Sequence, residues 1–183
     1  IRIFKSEREL ELWVKGDGGY ELFRTYAVAA MSGQLGPKLR EGDRQAPEGF
    51  YYIPPSRMNP NSRFHLSMNL GYPNRYDRVH ERTGSALMVH GGIASIGCFA
   101  MTDPKIEEIY AMTEAALRNG QSFFRVHCFP FRMSAANMKK NASSKWHSFW
   151  VNLKEGYDFF ESSKLPPDVR VEDGKYLFGK ATN

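Results

Sequence analysis

Cysteine is scarce in this chain of 183 residues: two are present, Cys98 and Cys128. Two thiols build neither a disulfide framework nor a four-thiolate zinc site, and no CxxC pair occurs. Long apolar runs are missing too. Stretches such as 86–89 and 26–31 fall far short of the roughly 20 residues needed to cross a bilayer, so no membrane span is expected. Glycine and proline, 16 and 10, are close to ordinary usage and follow no period, which excludes collagen-like and low-complexity chains. There is no internal repeat and no polar linker long enough to separate domains. Charge is only mildly one-sided: 25 Lys and Arg against 20 Asp and Glu leave +5, which favours an anionic partner without naming it. The aromatic residues are not laid out as an interleaved RNP-like motif, and no nucleic-acid partner is expected. Ile1 in place of an initiator Met is compatible with removal of an export leader, so the compartment must be read from the chemistry.

What the chain does contain, 42% hydrophobic and 14% aromatic residues, is enough for a core. Alternating apolar residues predict strands at Ile1/Ile3, at Leu10/Leu12/Val14 and from Tyr20, with Gly16-Asp17-Gly18-Gly19 as a hairpin turn. Loop signals fill 32–49 and end in the aromatic strand 50–53. From Pro54 to Gly84 neither period is sustained, and this basic segment reads as one long loop with a single buried strand through Phe64, Leu66, Met68, Leu70 and Tyr72. The strand 86–89 runs into His90. A helix is predicted from Thr102 or Asp103, with Pro104 in its first turn and Gly120 as its stop. Short helices are expected at 134–141, 144–153 and 157–163, and a hairpin around Asp173-Gly174. The whole predicts one α+β domain over 1–183 with a mostly antiparallel β-core, one helix after the cysteine turn, short C-terminal helices and a C-terminal extension of about 164–183.

A thiol becomes a nucleophile when a base takes its proton and its surroundings favour the thiolate. His90 ends an apolar strand, and Cys98 follows after a turn containing Gly91, Gly92 and Gly97. That spacing lets imidazole and thiol meet, and places the backbone N–H groups around Gly97 and Cys98 near the start of the Thr102 helix as oxyanion-hole candidates. With His90 as the base, the thiol is expected to have a depressed pKa from an adjacent imidazolium. The same residues could equally form a glycine-rich turn with a core cysteine.

His90-Gly91 with Ser95-Ile96-Gly97-Cys98, preceded by Gly42-Asp43 and Pro47-Glu48-Gly49-Phe50-Tyr51-Tyr52-Ile53, resembles the L,D-transpeptidase catalytic domain of the YkuD/ErfK family. The stretches 68–78, 98–102 and 130–133 are similar to the YafK subgroup of Gram-negative bacteria. The resemblance implies that family's sandwich or barrel fold and periplasmic chemistry on peptidoglycan stem peptides. Cys98 would attack the diaminopimelate carbonyl with His90 as base, while Gly91, Gly92, Ser95 and Gly97 shape the site. The thioester could pass to an amine, giving a 3-3 cross-link or an attached lipoprotein, or to water. The short 92–94 connector and the subgroup motifs favour hydrolysis of a diaminopimelate-to-lipoprotein amide. Where many family members carry a basic residue two positions after the cysteine, this chain has Ala100. Arg57, Arg63, Arg75, Arg78 and Arg82, with Asn69 and Tyr76, are therefore the candidates for binding stem carboxylates. A catalytically silent regulator of wall enzymes is the alternative of another class.

Cys128 alternates with Phe124 and Val126 and reads as a core residue. His65, His80, His127 and His147 show no zinc-ligand spacing, so neither metal nor cofactor is expected. Trp146, Phe149, Trp150, Phe159 and Phe160 read as helix-packing side chains.

Overall fold

Residues 1–180 are described by the computed structural model; the last three of the expected extension, 181–183, lie outside it. Strands β1 (Arg2–Phe4), β2 (Glu9–Gly16) and β3 (Gly19–Ala27) follow the predicted alternation, and the glycine turn joins β2 to β3. Strand β4 (Gly49–Ile53) carries the aromatic run. The chain continues through a 3-10 turn (Pro55–Arg57), β5 (Met58–Ser62), β6 (His65–Asn69) and helix α1 (Arg75–Val79). Then come β7 (Met88–His90), β8 (Phe99–Ala100), α2 (Asp103–Arg118) and β9 (Phe124–Phe129). Helices α3 (Ala135–Lys140) and α4 (His147–Ser163) precede the hairpin β10 (Asp168–Glu172) and β11 (Lys175–Gly179).

This is a mixed α+β fold. One sheet has the order β3-β2-β1-β9-β4, another β5-β6-β7-β8. Pairing is antiparallel except for β1 beside β9 and β7 beside β8. Between the sheets and α2 lies one core, with Ile3, Val89, Phe99, Ile106 and Val126 among its fully buried members. Ile106, Ile109, Tyr110 and Thr113 form the inward stripe of α2 at helical spacing. A second core joins Phe4, Phe129, Trp150, Leu153 and Tyr176 where α4 and the terminal hairpin cover the larger sheet. Cys128 is a buried member of the first core, without a disulfide.

Two expectations about local structure are corrected. The segment 54–84 is not one loop with one strand, because β5 pairs with β6 and α1 is fixed by a capping box between Asn74 and Asp77. Within it Phe64 is 42% exposed instead of buried, since the strand begins at His65. At the other end, the helices expected at 144–153 and 157–163 are one continuous α4 running through Gly156. That glycine is dictated by packing: a Cβ there would lie 2.5 Å from Phe50 Cζ and closer still to Phe178.

Candidate active site

Parallel strands usually need a long crossover, yet β7 and β8 are joined by the tight segment 91–98. Glycines allow it. Gly97 has φ +127°, and a Cβ on Gly91 would lie 2.6 Å from both Asp103 Oδ1 and the Phe64 carbonyl oxygen. The turn is then tied at every level. Gly91 N–H donates to Leu66 O (3.1 Å), Met101 N–H to His90 O (2.8 Å) and Thr102 N–H to Gly92 O (2.9 Å). Asp103, in the first turn of α2, accepts from Gly92 N–H at 2.7 Å.

Val89 pairs with Phe99 and His90 with Ala100, and both Val89 and Phe99 point into the first core at 0% exposure. Side chains alternate across a strand, so Met88 and His90 share the other face, and Cys98, one residue before Phe99, falls level with Met88. Imidazole and thiol thus stand at the two ends of the turn, His90 closing β7 and Cys98 immediately before β8. The thiol is half-buried and 3.5 Å from the Ala86 carbonyl. His90 Nδ1 sits 2.5 Å from the Gly91 carbonyl. A carbonyl only accepts, so Nδ1 carries the proton and Nε2 the lone pair. The Phe64 ring covers the imidazole, with centroids 4.6 Å apart.

Electrostatics correct one expectation. Burial pushes the Cys98 thiol up from its ordinary value, only partly offset by the Met88 N–H and the charge of Lys38, while burial pulls His90 down despite its bond to Gly91. The resting pair is a neutral thiol and a neutral imidazole; it is not a preformed thiolate beside an imidazolium, because both groups have lost water that would stabilise charge.

The other expected site residues divide. Gly91, Gly92 and Gly97 lie in the turn with His90 and Cys98. Ser95 is there too, its hydroxyl donating to the Cys98 carbonyl at 2.7 Å and so bracing the turn. Arg63 is exposed on the β5–β6 connection, next to Phe64. Arg75 and Arg78 are exposed on α1, Arg78 donating to Pro73 O. Arg57 is held by Tyr52, whose carbonyl it reaches at 2.8 Å and whose ring it covers at 5.0 Å. Asn69 accepts from Gly71 N–H. Two candidates are spent on the core. Arg82 pairs with Asp77 at 2.9 Å and stacks on Tyr76 and Phe149, and Tyr76 stacks on Tyr176 with centroids 4.2 Å apart. Sequence reasoning missed Phe64 and Asp103; only the Asp-Pro start of α2 hinted at the second. No cluster of three or more His, Cys, Asp or Glu placed to hold a metal occurs among the described residues, and no helix there is long and apolar enough to cross a membrane.

Comparison with known proteins settles the family. The model of the YkuD L,D-transpeptidase catalytic domain matches residues 1–118, which include the whole His90-to-Cys98 turn. The chain belongs to this L,D-transpeptidase family. It is 46% identical over 180 residues to a protein of Escherichia coli (strain K12) named "Putative L,D-transpeptidase YafK", covering 98% of this chain and 73% of that one, and equally to its counterpart in Escherichia coli O157:H7. Among solved structures, the helical cell shape determining protein Pgp2 of Campylobacter jejuni superposes with a TM-score of 0.59 at 17% identity, covering 94% of this chain and 72% of that one. A point mutant of Pgp2 gives 0.60 at 19%, over 87% of this chain and 55% of the other. At such identities the likeness is one of fold, and it confirms the L,D-transpeptidase-like α+β architecture.

Proposed function

We propose that this L,D-transpeptidase-family chain is a cysteine enzyme of the periplasm that processes peptidoglycan stem peptides through a Cys98 acyl-enzyme. The observation that supports the reading is the tight, partly open turn between β7 and β8, with His90 at one end, its Nε2 left as the basic nitrogen, and Cys98 at the other. Nε2 takes the thiol proton as Sγ attacks the diaminopimelate carbonyl. The N–H groups of Gly97 and Cys98, without hydrogen-bond partners among the described residues, receive the developing oxyanion. The amide C–N bond then breaks, the amine leaves with the proton from Nε2, and a thioester remains. Water attacks it with Nε2 again as base, the C–S bond breaks, and Sγ recovers its proton.

Hydrolysis is favoured over transfer by the mouth of the site. A transferase must hold an amine and exclude water, whereas here the turn carries Ile93 and Ile96 at 76% and 78% exposure. The preferred donor is a diaminopimelate-to-lipoprotein amide, with Arg63, Arg75 and Arg78 as the carboxylate-binding candidates that remain at the surface. The test is separate incubation with tetrapeptide muropeptides and lipoprotein-bearing muropeptides, with products read by mass spectrometry. Free tripeptide ends and released protein are expected; 3-3 dimers without release would reverse the assignment to transpeptidation. Activity surviving in Cys98→Ala would overturn the Cys98 acyl-enzyme, whereas no activity and no acyl adduct on Cys98 with any substrate or carbapenem would leave the silent-regulator reading standing.

A further inference from the structure

We propose that the Lys38–Asp43 ion pair, about 50 residues before the cysteine turn, is a positioning device that grips both chain segments flanking the Cys98 thiol and sets the electrostatic potential at its sulfur. The inference rests on Cys98 being the nucleophile and assigns a role to a loop that the catalytic scheme leaves unused.

The geometry is a chain of contacts. Lys38 is 4% exposed, and its ammonium bonds Asp43 Oδ1 at 2.5 Å and the Arg40 carbonyl at 2.9 Å. Asp43 gathers three backbone donors besides: Gln45 N–H on Oδ1 (3.1 Å), and Leu39 N–H (2.8 Å) and Arg40 N–H (3.1 Å) on Oδ2. Burial alone would push this carboxyl up, but those bonds hold it below its ordinary range. Gln45 passes the order on. Its amide ties Gln34 O and Gly36 O, and its own carbonyl lies against Gly97, 3.4 Å from where a Cβ would stand. On the other side, Lys38 Cε would lie 2.7 Å from a Cβ on Gly84, and the Lys38 carbonyl accepts from Tyr72 OH. Two residues beyond Gly84 is Ala86, whose carbonyl faces the thiol.

The charged and titratable groups around the thiol come from three elements. His90 on β7 is neutral at rest. Asp103 on α2 is bonded to Gly92 N–H. The loop supplies Lys38, Asp43 and Glu41, whose Oε2 lies by Gly84. Of these, Lys38 is the cation that works against the burial-driven rise of the thiol. A buried pair is poor evidence of stabilisation; one that braces the nucleophile's flanks and biases its ionisation is explained by both effects.

The test measures the pH dependence of Cys98 carbamidomethylation by iodoacetamide in the full chain, with Cys128→Ala as the common background. Lys38→Met leaves Asp43 uncompensated, and the alkylation midpoint should rise by about one pH unit. Asp43→Asn leaves the ammonium uncompensated, and the midpoint should fall. Lys38→Arg keeps the charge and should stay near the parent. A merely structural pair would shift both neutralising variants the same way or not at all, and either result overturns the proposal. If Lys38→Met does not fold, Asp43→Asn against Lys38→Arg decides alone: a fall with the first and none with the second supports the device. Alkylation reads the sulfur directly, so the expected shifts in a protein that turns over no muropeptide would overturn the proposed substrate while leaving the effect of the pair on the sulfur established.

Discussion

At Cys98 and His90 burial acts against charge on both partners, raising the thiol and lowering the imidazole. The sign of the pH dependence follows. Below its ordinary value near 6.5, His90 is still a neutral base, so the acid limb of kcat/KM should lie under about pH 6.5. The thiol without substrate ionises only above its ordinary value near 9.0, so iodoacetamide should react slowly at pH 7 and accelerate through the alkaline range. An alkylation midpoint below pH 7 would instead indicate a resting thiolate–imidazolium pair. His90→Ala should cut turnover by about 10²-fold or more, the usual scale of a general base, and wild-type turnover at neutral pH would remove His90 from that role. The candidacy of these two residues was legible because it is local, a strand end and a glycine turn eight positions on. The neutral resting state was not legible, since it depends on burial that spacing does not report. Nor was the fate of Arg82 and Tyr76: a basic or aromatic residue in an aperiodic segment looks available until Asp77 and Tyr176 are seen beside it.

At the scale of elements, the sequence is clearest where one side chain period and one punctuation mark agree. The β2–β3 hairpin, α2 with Pro104 in its first turn, and the hairpin at Asp173-Gly174 all satisfy that condition. Strand β5 does not: Asn59 and Pro60 are exposed on it, so no apolar alternation marks it, and only its pairing with β6 makes it a strand. Helix α4 fails the condition for the opposite reason, because Gly156 looks like a stop. In the fold it is the point where α4 passes closest to Phe50 of β4 and Phe178 of β11. Glycine to alanine in a helix interior ordinarily gains up to about 1 kcal/mol. At Gly156 the added methyl has no space between two aromatic rings, and overpacking of this kind costs about 1–3 kcal/mol. Gly156→Ala should therefore lower the thermal midpoint, measured by circular dichroism; a rise would mean that the rings move aside freely and that helix propensity governs the site.

Across the whole molecule, the two cores meet at a buried charge cluster that no local pattern announces. Lys5, at the end of β1, reaches the Gly36 and Ala46 carbonyls and Glu48 at 2.9 Å, and Glu48 in turn accepts from Gly36 N–H and from Trp150 Nε1 of α4. Glu48 is 0% exposed and Lys5 3%. The cluster thus joins the larger sheet, the loop that carries Lys38 and Asp43, and the C-terminal helix. Its sequence separations explain its invisibility: Lys5, Glu48 and Trp150 come from three distant stretches of the chain, and Pro47-Glu48-Gly49 reads as an ordinary surface turn. Removing one member of a buried pair strands the other charge at about 3–5 kcal/mol, a large share of the 5–15 kcal/mol that holds a domain together. Glu48→Leu should be strongly destabilised in urea, and Lys5→Met likewise. The double variant should recover some of the loss, with a coupling of about 2 kcal/mol, because it removes both charges while leaving the Gly36 and Trp150 donors without their acceptor. Additive losses in that cycle would show that the carboxylate acts through Gly36 and Trp150 alone, and that the ion pair contributes nothing to joining the halves of the fold.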